Sequence, residues 1–376
     1  MTEIRFDPAQ GCLRLIRPDG TADAYPYLWL RDNDPAGFHP QTGERSFDLL
    51  SVPPDLAPQT ASVADGMLHL FWPDGAETRV ALDWLAAHRP GHRRPDPADV
   101  APHVWTADLT PAGIPRAAAC DLLTDDAALL DWIVAVKRVG LALVTGLADD
   151  REAGLDVARR VGFLRETNFG RTFEVMSKPD PNNLAYTADA LPLHTDLPNQ
   201  DLPPGMQFLH CLANEAEGGG SVFADGFALA EALANAAPDA ADALADIAIP
   251  FRFHDSEFDI RSRKPVLVRD RDGRLREVCY NAHIADIADM GLDEMTRFYP
   301  AYRRFMALTR DPAFRLELKL AAGEMVVFDN RRVLHGRSAF DPATGRRHLR
   351  GAYVDRGEWD SRLRILTAAL NRPAAA

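Results

Sequence analysis

The sequence predicts a mainly β, α+β protein in which helices lie around a double-sheet jelly roll. Short apolar runs of strand length recur through the chain, whereas runs with helical spacing are few. These strands and helices do not alternate regularly, which disfavours a doubly wound parallel sheet. With 376 residues, 46% of them hydrophobic, the chain has room for one large domain and a small one.

The N-terminal segment has the pattern of small antiparallel hairpins. Apolar runs at 12–16 and 67–72 are each followed by the turn sequence Pro-Asp-Gly. A stretch rich in proline and histidine, residues 88–103, then has the composition of a linker. We therefore expect a small β-rich N-terminal domain over residues 1–95 and a larger domain over residues 105–376.

The larger region begins with helical periodicity and is then dominated by strands. Residues 121–139 carry apolar side chains at helical spacing and are followed by Gly140, a typical C-terminal cap. The alanine-rich tail from about Arg372 is expected to be frayed. Helices are predicted over residues 121–139, 151–161 and 292–308 and from Asp225 onward, and strands over 141–144, 206–212, 221–224, 249–253, 265–268, 314–320, 325–328 and 347–354.

Charge and composition exclude several classes of partner. The net charge of -13 gives no basic footprint for nucleic acid, and no basic or long apolar run indicates contact with a membrane. The first residues lack the basic and apolar regions of a secretory signal, so a cytoplasmic location is expected. The four cysteines are scattered without a C-x-x-C pair, which argues against a disulfide framework.

Two histidines and one aspartate form a candidate metal site. His194 and Asp196 are two residues apart, so on a strand both side chains would point to the same face. His335 would complete two imidazoles and one carboxylate, the set that leaves three adjacent positions open in non-haem Fe(II) oxygenases. Because the chain has 11 histidines, the alternative is a chance H-x-D pair and a core histidine.

A cation and a hydroxyl accompany this candidate site. An oxygenase with a dicarboxylate cosubstrate needs a fixed cation for the far carboxylate, and Arg347 on a predicted strand offers a bidentate fork. Ser221, which follows the glycine turn 218–220, is a candidate second contact to the same carboxylate. The alternatives are a solvated arginine among its arginine neighbours and an ordinary turn serine.

Several motifs resemble the gamma-butyrobetaine hydroxylase family in order and spacing. That family belongs to the Fe(II)- and 2-oxoglutarate-dependent dioxygenases, related to taurine dioxygenase. The resemblance lies in residues 25–33 (YPYLWLRDN), 182–187 (NNLAYT), 194–196 (HTD), 203–211 (PPGMQFLHC), 328–337 (FDNRRVLHGR) and 347–353 (RHLRGAY).

The resemblance implies a fold, cofactors and a reaction. It implies a double-stranded β-helix core, a small N-terminal domain and a homodimer. His194, Asp196 and His335 would bind Fe(II), and Arg347 would hold 2-oxoglutarate. The implied reaction uses O2 to hydroxylate an aliphatic carbon. Related halogenases have a small residue in place of the carboxylate, so Asp196 predicts hydroxylation.

The resemblance also implies a zwitterionic quaternary ammonium substrate. Gamma-butyrobetaine is the leading candidate substrate. The alternative is 2-(trimethylamino)ethylphosphonate, because Leu197 replaces a tyrosine at the family's anion-binding end and so leaves the anionic group of the substrate open. Aromatic faces attract a trimethylammonium group, which cannot donate hydrogen bonds. The aromatic positions, whose alternative role is core packing, are Phe169, Phe173, Tyr186 and Tyr353. The positions for the anionic end are Asn183, Asn281 and Leu197, with Asn199 as a possible substitute.

One feature of the family is missing from this chain, and two other function classes stay open. Many members bind zinc in the N-terminal domain through three cysteines and a histidine, but no cysteine lies between Cys12 and Cys120, so structural zinc is not expected. One alternative is a zinc hydrolase with the same triad, in which Arg347 has no task. The other is a non-catalytic jelly roll that only binds a ligand.

Overall fold

A computed structural model of the chain describes residues 3–177 and 184–371. The chain divides into two compact units, Met1–Pro95 and Asp96–Ala376. The predicted contact Asn183 and the tail from Arg372 lie outside the described residues. None of the described helices is long and apolar enough to cross a membrane.

The first unit contains two antiparallel three-stranded meanders, in the orders β1-β2-β3 and β4-β5-β6. Gly20 and Gly75 end the two Pro-Asp-Gly turns with φ of +82° and +83°, a backbone conformation that favours glycine. The unit's buried cluster includes Tyr25, Leu68 and Trp72. Its elements are β1 (Glu3–Asp7), β2 (Cys12–Ile16), β3 (Ala22–Pro26), α1 (Tyr27–Asp32), β4 (Thr60–Ala64), β5 (Met67–Phe71), β6 (Glu77–Ala81) and α2 (Leu82–Ala87).

The second unit mixes strands and helices. Its helices are α3 (Ala119–Thr124), α4 (Asp126–Val139), α5 (Ala153–Val161), α6 (Gly226–Ala236), α7 (Pro238–Asp246), α8 (Leu292–Arg310) and α9 (Arg356–Ala369). Its strands are β7 (Arg116–Ala118), β8 (Leu141–Thr145), β9 (Phe173–Val175), β10 (Leu191–His194), β11 (Met206–Asn214), β12 (Glu217–Gly218), β13 (Ser221–Asp225), β14 (Ile249–His254), β15 (Asp259–Lys264), β16 (Leu267–Arg269), β17 (Leu275–Val278), β18 (Leu316–Leu318), β19 (Met325–Asp329), β20 (Val333–Arg337), β21 (Phe340–Asp341) and β22 (Arg347–Val354).

Two sheets share one apolar cluster in this unit. A six-stranded sheet has the order β7-β8-β19-β11-β22-β9, and a four-stranded sheet has the order β10-β20-β13-β18. Neighbouring strands are antiparallel except for the pair β7 and β8. The shared cluster contains Leu209 and Leu349 from the larger sheet and Phe223 and Val333 from the smaller one. Helices α3, α4, α5 and α9 cover the outer face of the larger sheet, and α6, α7 and α8 cover that of the smaller sheet.

Side-chain alternation along the strands decides which residues face the space between the sheets. On β22, Leu349 belongs to the inner cluster and Ala352 to the outer one, so Arg347 and Tyr353 lie on the inner face. On β20, Val333 is an inner residue, which puts His335 on the inner face as well. The polar residues of the candidate site therefore occupy inward positions that apolar side chains fill elsewhere on the same strands.

Several helix boundaries differ from the sequence prediction, and the helix expected over 292–308 continues to Arg310. The predicted helix 121–139 is two helices, because Asp125 has extended backbone angles and its carboxylate accepts a hydrogen bond from the Ala127 N–H as the N-cap of α4. Gly140 ends α4 with φ of +79°, as predicted. The helix expected from residue 151 begins at Ala153. Helix α9 was not predicted, although Trp359, Leu363 and Leu366 give it a buried face with helical spacing.

A buried ion pair joins the start of β20 to the end of β13. The Arg332 guanidinium donates two hydrogen bonds to Asp225, at 3.0 and 2.7 Å, and further bonds to the carbonyls of His103 and Arg138. Nearly all of its donors are thus satisfied in the interior, as a buried charge requires. This network fixes β20 beside β13, three residues before His335.

Candidate active site

His194, Asp196 and His335 meet at one point. Their ligand atoms lie within 4.8 Å of one another, and theirs is the only such group of three among the described residues. The Oδ1 atom of Asp196 lies 3.2 Å from His194 Nε2 and 3.5 Å from His335 Nε2. The structure therefore brings together the three residues that the sequence proposed as metal ligands.

Strand register brings the two histidines together. His194, the last residue of β10, lies directly opposite His335 on the antiparallel strand β20, and the two ring centroids are 4.3 Å apart. This close approach requires glycine at position 336, since a Cβ atom there would lie 2.4 Å from the carbonyl oxygen of Leu191. Gly336, in the motif that carries His335, therefore lets β10 come close enough for the pair to form.

Backbone hydrogen bonds hold Asp196 just beyond the end of β10. The buried amide of Asn330 accepts a bond from the Asp196 N–H at 2.6 Å and donates one to the Asp196 carbonyl at 3.0 Å. The neighbouring Thr195 exchanges hydrogen bonds with the backbone of Tyr280. Sequence reasoning gave Asn330 no role, although it lies in the motif that carries His335.

The donor atoms of the triad suit a divalent cation. His194 Nδ1 lies 2.9 Å from the carbonyl of Pro192, which can only accept, so Nδ1 carries a proton and Nε2 is the ring nitrogen that faces Asp196. Burial lowers the pKa of His335. Burial opposes ionisation of Asp196, but its contacts with His335 and His194 hold the pKa of its carboxyl well below the usual range. Two imidazole nitrogens and a carboxylate oxygen are a ligand set that fits Fe(II).

Arg347 is a buried cation without an anionic partner among the described residues. Its Nε donates to the Gly219 carbonyl at 3.1 Å, but its Nη1 is buried and has no partner. Burial, with the neighbouring Arg337, lowers the pKa of Arg347 to about 10, so it remains charged at neutral pH. A buried guanidinium whose Nη1 has no partner fits a carboxylate ligand such as 2-oxoglutarate. Ser221 lines the same cavity.

Gly219 makes room for this guanidinium. A Cβ atom at 219 would lie 2.9 Å from Arg347 Cδ, and Gly219 has φ of +69°. The other arginines of the segment are occupied or exposed. Arg350 forms ion pairs with Glu152 and Glu174, and Arg346 is exposed. Arg347 is therefore the arginine of this segment that is available to a ligand.

Tyr353 links the metal site to the ring cluster. Its hydroxyl donates a 2.7 Å hydrogen bond to Asp196 Oδ2, and its ring stacks on Phe173 with centroids 5.0 Å apart. Burial, together with the adjacent Asp196 carboxylate, raises the pKa of Tyr353 well above its usual value, so the hydroxyl keeps its proton. The sequence predicted only a ring in the substrate pocket. Orientation of Asp196 is a second role that the tertiary structure reveals.

Aromatic side chains line the cavity of about 510 Å³ that contains the triad. The four predicted rings, Phe169, Phe173, Tyr186 and Tyr353, all line it. Phe169 makes an edge-to-face contact with Phe253, a lining residue that the sequence did not indicate. The Phe173 ring lies over Gly351, where a Cβ atom would come within 2.2 Å of it. The absence of a side chain at Gly351 on β22 therefore leaves room for the Phe173 ring.

The predicted residues for the anionic end differ in how their polar atoms are used. Asn281 lines the cavity but already donates to the Thr195 carbonyl and accepts from the His283 N–H. Leu197 lines it with φ of +54°, which costs a residue other than glycine about 1–2 kcal/mol. Asn199 is fully buried, and neither its oxygen nor its nitrogen has a partner.

Two further polar residues of the cavity escaped sequence reasoning. Gln207 faces inward on β11, is buried, and has no partner for its Oε1. His283 lies edge-on to His194, and burial lowers its pKa. The only signal for Gln207 was its place in the motif 203–211, and none pointed to His283.

The profile of one known family covers most of the second unit. Residues 105–353 match the family described as "Taurine catabolism dioxygenase TauD, TfdA family". The chain belongs to this TauD/TfdA family. It is a dioxygenase, and its triad and free guanidinium fit Fe(II), 2-oxoglutarate and O2.

Relatives extend the match over both units of this TauD/TfdA dioxygenase. The gamma-butyrobetaine dioxygenase of Pseudomonas sp. (strain AK-1) is 42% identical over 354 residues, 93% of this chain and 92% of the relative. The mitochondrial trimethyllysine dioxygenase of Gallus gallus is 31% identical over 361 residues, 93% of this chain and 85% of the relative. The resemblance to the gamma-butyrobetaine hydroxylase family is thereby confirmed.

A solved structure supports the fold alone. A taurine-dioxygenase-like crystal structure from Burkholderia xenovorans superposes with a TM-score of 0.50 at 15% identity, over 68% of this chain and 92% of that one. The mixture of strands and helices predicted from the sequence is therefore confirmed as a TauD-like fold.

Proposed function

We propose that this dioxygenase hydroxylates an aliphatic carbon of a small trimethylammonium compound, with gamma-butyrobetaine, which yields carnitine, as the leading substrate. The observation that carries the proposal is 42% identity to a gamma-butyrobetaine dioxygenase in a chain whose triad, free guanidinium and rings line one cavity. When bound, Fe(II) with 2-oxoglutarate and O2 supplies the oxidising chemistry, in which one oxygen atom enters a C–H bond, the other enters succinate, and CO2 leaves.

Protein groups bind and orient the reactants in this scheme. His194, Asp196 and His335 hold the metal through two nitrogens and one oxygen, and Arg347 binds the far carboxylate of 2-oxoglutarate with Ser221 as a second contact. The Tyr353 hydroxyl holds Asp196 Oδ2, which favours a fixed carboxylate orientation. The side chain of Asp196 also fills the position that a halide would need.

The cationic end of the substrate lies against rings in this proposal. Phe169, Phe173, Tyr186 and Tyr353 offer π-faces to a trimethylammonium group, at about 0.5–2 kcal/mol for each close contact. The anionic end is assigned to the segment after Asp196, including Leu197, with the amide of Asn281 next to it. Asn183, outside the described residues, stays a predicted contact.

Trimethyllysine is a second candidate substrate, because a trimethyllysine dioxygenase is 31% identical over 93% of this chain. The phosphonate 2-(trimethylamino)ethylphosphonate is a third, since Leu197 leaves the anionic group open. All three substrates share the trimethylammonium group that the rings would bind. They differ in the group at the other end.

We further propose that the two facing sheets form the double-stranded β-helix of a catalytic domain over residues 105–376. Residues 1–95 would then be a separate β-rich domain. A homodimer and a cytoplasmic location remain predictions, as does the absence of structural zinc. Light scattering coupled to gel filtration tests the homodimer, and metal analysis of the purified chain tests the absence of structural zinc.

Turnover measurements test the proposed function. The enzyme is supplied with Fe(II), 2-oxoglutarate and O2, and succinate formation is measured with gamma-butyrobetaine, trimethyllysine and the phosphonate. We expect one succinate per hydroxylated product, with gamma-butyrobetaine preferred. The matched control is 5,5-dimethylhexanoate, in which carbon replaces the quaternary nitrogen, and it should be a poor substrate because the rings attract charge. The proposal fails if no trimethylammonium compound raises succinate formation above the substrate-free rate.

A further inference from the structure

The first unit contains a cavity of about 870 Å³ that the proposed function does not use. Its lining comes from α1, α2 and the segments that follow these helices, all within residues 29–94. The chain as a whole has 55 acidic and 42 basic residues, but the charge around this cavity has the opposite sign. Among the described residues that line it there is no acidic side chain, and the basic ones are Arg45, His88, Arg89, His92 and Arg94. We call it the N-terminal cavity.

Three neighbouring rings line the N-terminal cavity beside these basic groups. The rings of Trp84 and His88 stack with centroids 3.9 Å apart and an angle of 16° between their planes, and Trp29 lies 5.9 Å from Trp84. The stack follows from helical spacing, since His88 comes four residues after Trp84 at the end of α2. All three residues are partly exposed, so a ligand in the cavity meets ring surface as well as charge.

The ring stack holds one of the arginines in place. Arg94 Nη1 lies 3.0 Å from His88 Nε2, and His88 Nδ1 lies 2.7 Å from the Trp84 carbonyl. A guanidinium can only donate and a carbonyl can only accept, so His88 is the neutral tautomer with its proton on Nδ1. This contact therefore orients the guanidinium of Arg94 without neutralising its charge.

The other two arginines differ in how well they are paired. Arg45 lies 2.8 Å from the carboxylate of Asp32, a close ion pair. Arg89 lies 3.8 Å from the carboxylate of Asp23, which is too far for a hydrogen bond, and the buried Nε of Arg89 has no partner. A buried donor without a partner is unfavourable, and an anion in the cavity is a natural partner for it. The positive charge available to a ligand is therefore that of Arg89 and Arg94.

We propose that the N-terminal cavity binds an aromatic phosphate, the class of ligand to which nucleotides belong. Guanidinium groups form charge-assisted, bidentate hydrogen bonds with phosphate. Because phosphate oxygens are arranged tetrahedrally, one group can accept from two arginines that approach from different directions. A flat ring on the same ligand would lie against the exposed tryptophan surface. This site goes beyond the proposed function, since the described residues that line it are all different from those around the triad.

Calorimetric titration of the metal-free, full-length chain with ADP tests this site, with uncharged adenosine as the comparison ligand. The test variant carries Arg89→Gln and Arg94→Gln together. The matched control carries Arg5→Gln and Arg79→Gln, which remove the same charge from exposed positions of the same unit outside the cavity. Arg347→Ala is titrated as well, because the buried guanidinium of Arg347 is another place where an anion can bind.

ADP should bind more tightly than adenosine, and added salt should weaken it. Loss of both charges at Arg89 and Arg94 should weaken ADP binding by about tenfold or more, whereas the control pair and Arg347→Ala should stay within about twofold of the wild type. Lysine at positions 89 and 94 keeps the charge and should retain most of the affinity, which separates an electrostatic loss from a misfolded unit.

Four results would each overturn this site. They are no binding of ADP at millimolar concentration, equal binding of ADP and adenosine, an unchanged affinity for ADP in the variant with glutamine at 89 and 94, and loss of ADP binding in Arg347→Ala. The last result would place the anion in the cavity of the triad. Each leaves the proposed dioxygenase function intact, since that function is measured by succinate formation at the other site.

Discussion

The hydrogen bond from Tyr353 to Asp196 predicts that removing one hydroxyl weakens metal binding. In Tyr353→Phe the ring that stacks on Phe173 is kept, and only the 2.7 Å bond to Asp196 Oδ2 is lost. The carboxylate then has to be ordered when the metal binds, which costs conformational freedom. The variant therefore separates the orienting role of Tyr353 from its role as an aromatic face.

The structure sets the size of the expected effect. A buried hydrogen bond to an ionised group contributes about 1.5–3 kcal/mol, but this bond also stabilises the metal-free site, so only part of that value is lost from metal affinity. Groups that orient metal ligands typically contribute about 10- to 100-fold to affinity. We expect Fe(II) to bind about tenfold more weakly in Tyr353→Phe, with the affinity for gamma-butyrobetaine changed by less than threefold once metal is saturating (about 0.6 kcal/mol).

Anaerobic titration of the metal-free protein with Fe(II) measures this difference directly. Tyr25→Phe is the matched control, because its hydroxyl donates a buried 3.0 Å bond to the Leu85 carbonyl in the other unit. It should lower the free energy of unfolding by about 1 kcal/mol without changing the affinity for Fe(II). Affinities for Fe(II) in Tyr353→Phe and the wild type that agree within twofold would refute the orienting role.

Three other perturbations have expected outcomes. Arg347→Ala should raise the Kd for 2-oxoglutarate at least about 30-fold, since a desolvated charge contact contributes about 2 kcal/mol or more. Substitution of the exposed Arg346 by alanine should leave this Kd unchanged. Equal Kd values in Arg347→Ala and the wild type would mean that another residue binds the cosubstrate. Gly219→Ala should also weaken 2-oxoglutarate binding, because the new Cβ meets Arg347, while Gly43→Ala, with φ of +70° in open space, controls for backbone strain in the same titration. His210 is buried without a partner for either ring nitrogen, and burial lowers its pKa. As the pH falls through about 6.5, His210 is therefore protonated in the unfolded chain before it is protonated in the folded protein, which favours unfolding. In chemical denaturation, the free energy of unfolding of the wild type should fall relative to that of His210→Leu as the pH is lowered, and parallel pH profiles would contradict this.

Local sequence patterns predicted the ligand set and part of the strands, but not strands such as β15 and β20 and not every boundary. Strand alternation, Pro-Asp-Gly turns and Gly140 gave correct elements because they act over a few residues. The prediction for residues 121–139 ran through two helices, since the side chain of Asp125 interrupts an otherwise continuous apolar period. Helix α9 has apolar residues at helical spacing, but the sequence analysis did not predict a helix there.

Identification of the candidate site required both the sequence and the tertiary structure. The spacing of His194 and Asp196 indicated a ligand pair, and the guanidinium fork of Arg347 indicated a carboxylate partner. Pairing them with His335 came from chemistry and resemblance, since no local rule connects residues so far apart. Only the register of β10 on β20, with Gly336 between them, placed the two imidazoles side by side.

Residue type and short spacing in the sequence therefore supplied the candidate donor atoms, and the resemblance of its motifs supplied the family and the aromatic positions of the cavity. The tertiary structure decided which polar atoms are occupied and which are free. Asn281 and Asn199 are the same residue type, yet only the fold shows that the first amide is spent on the backbone and the second is available. Hydrogen-bond satisfaction depends on neighbours distant in the chain, and such neighbours exist only once the sheets have packed.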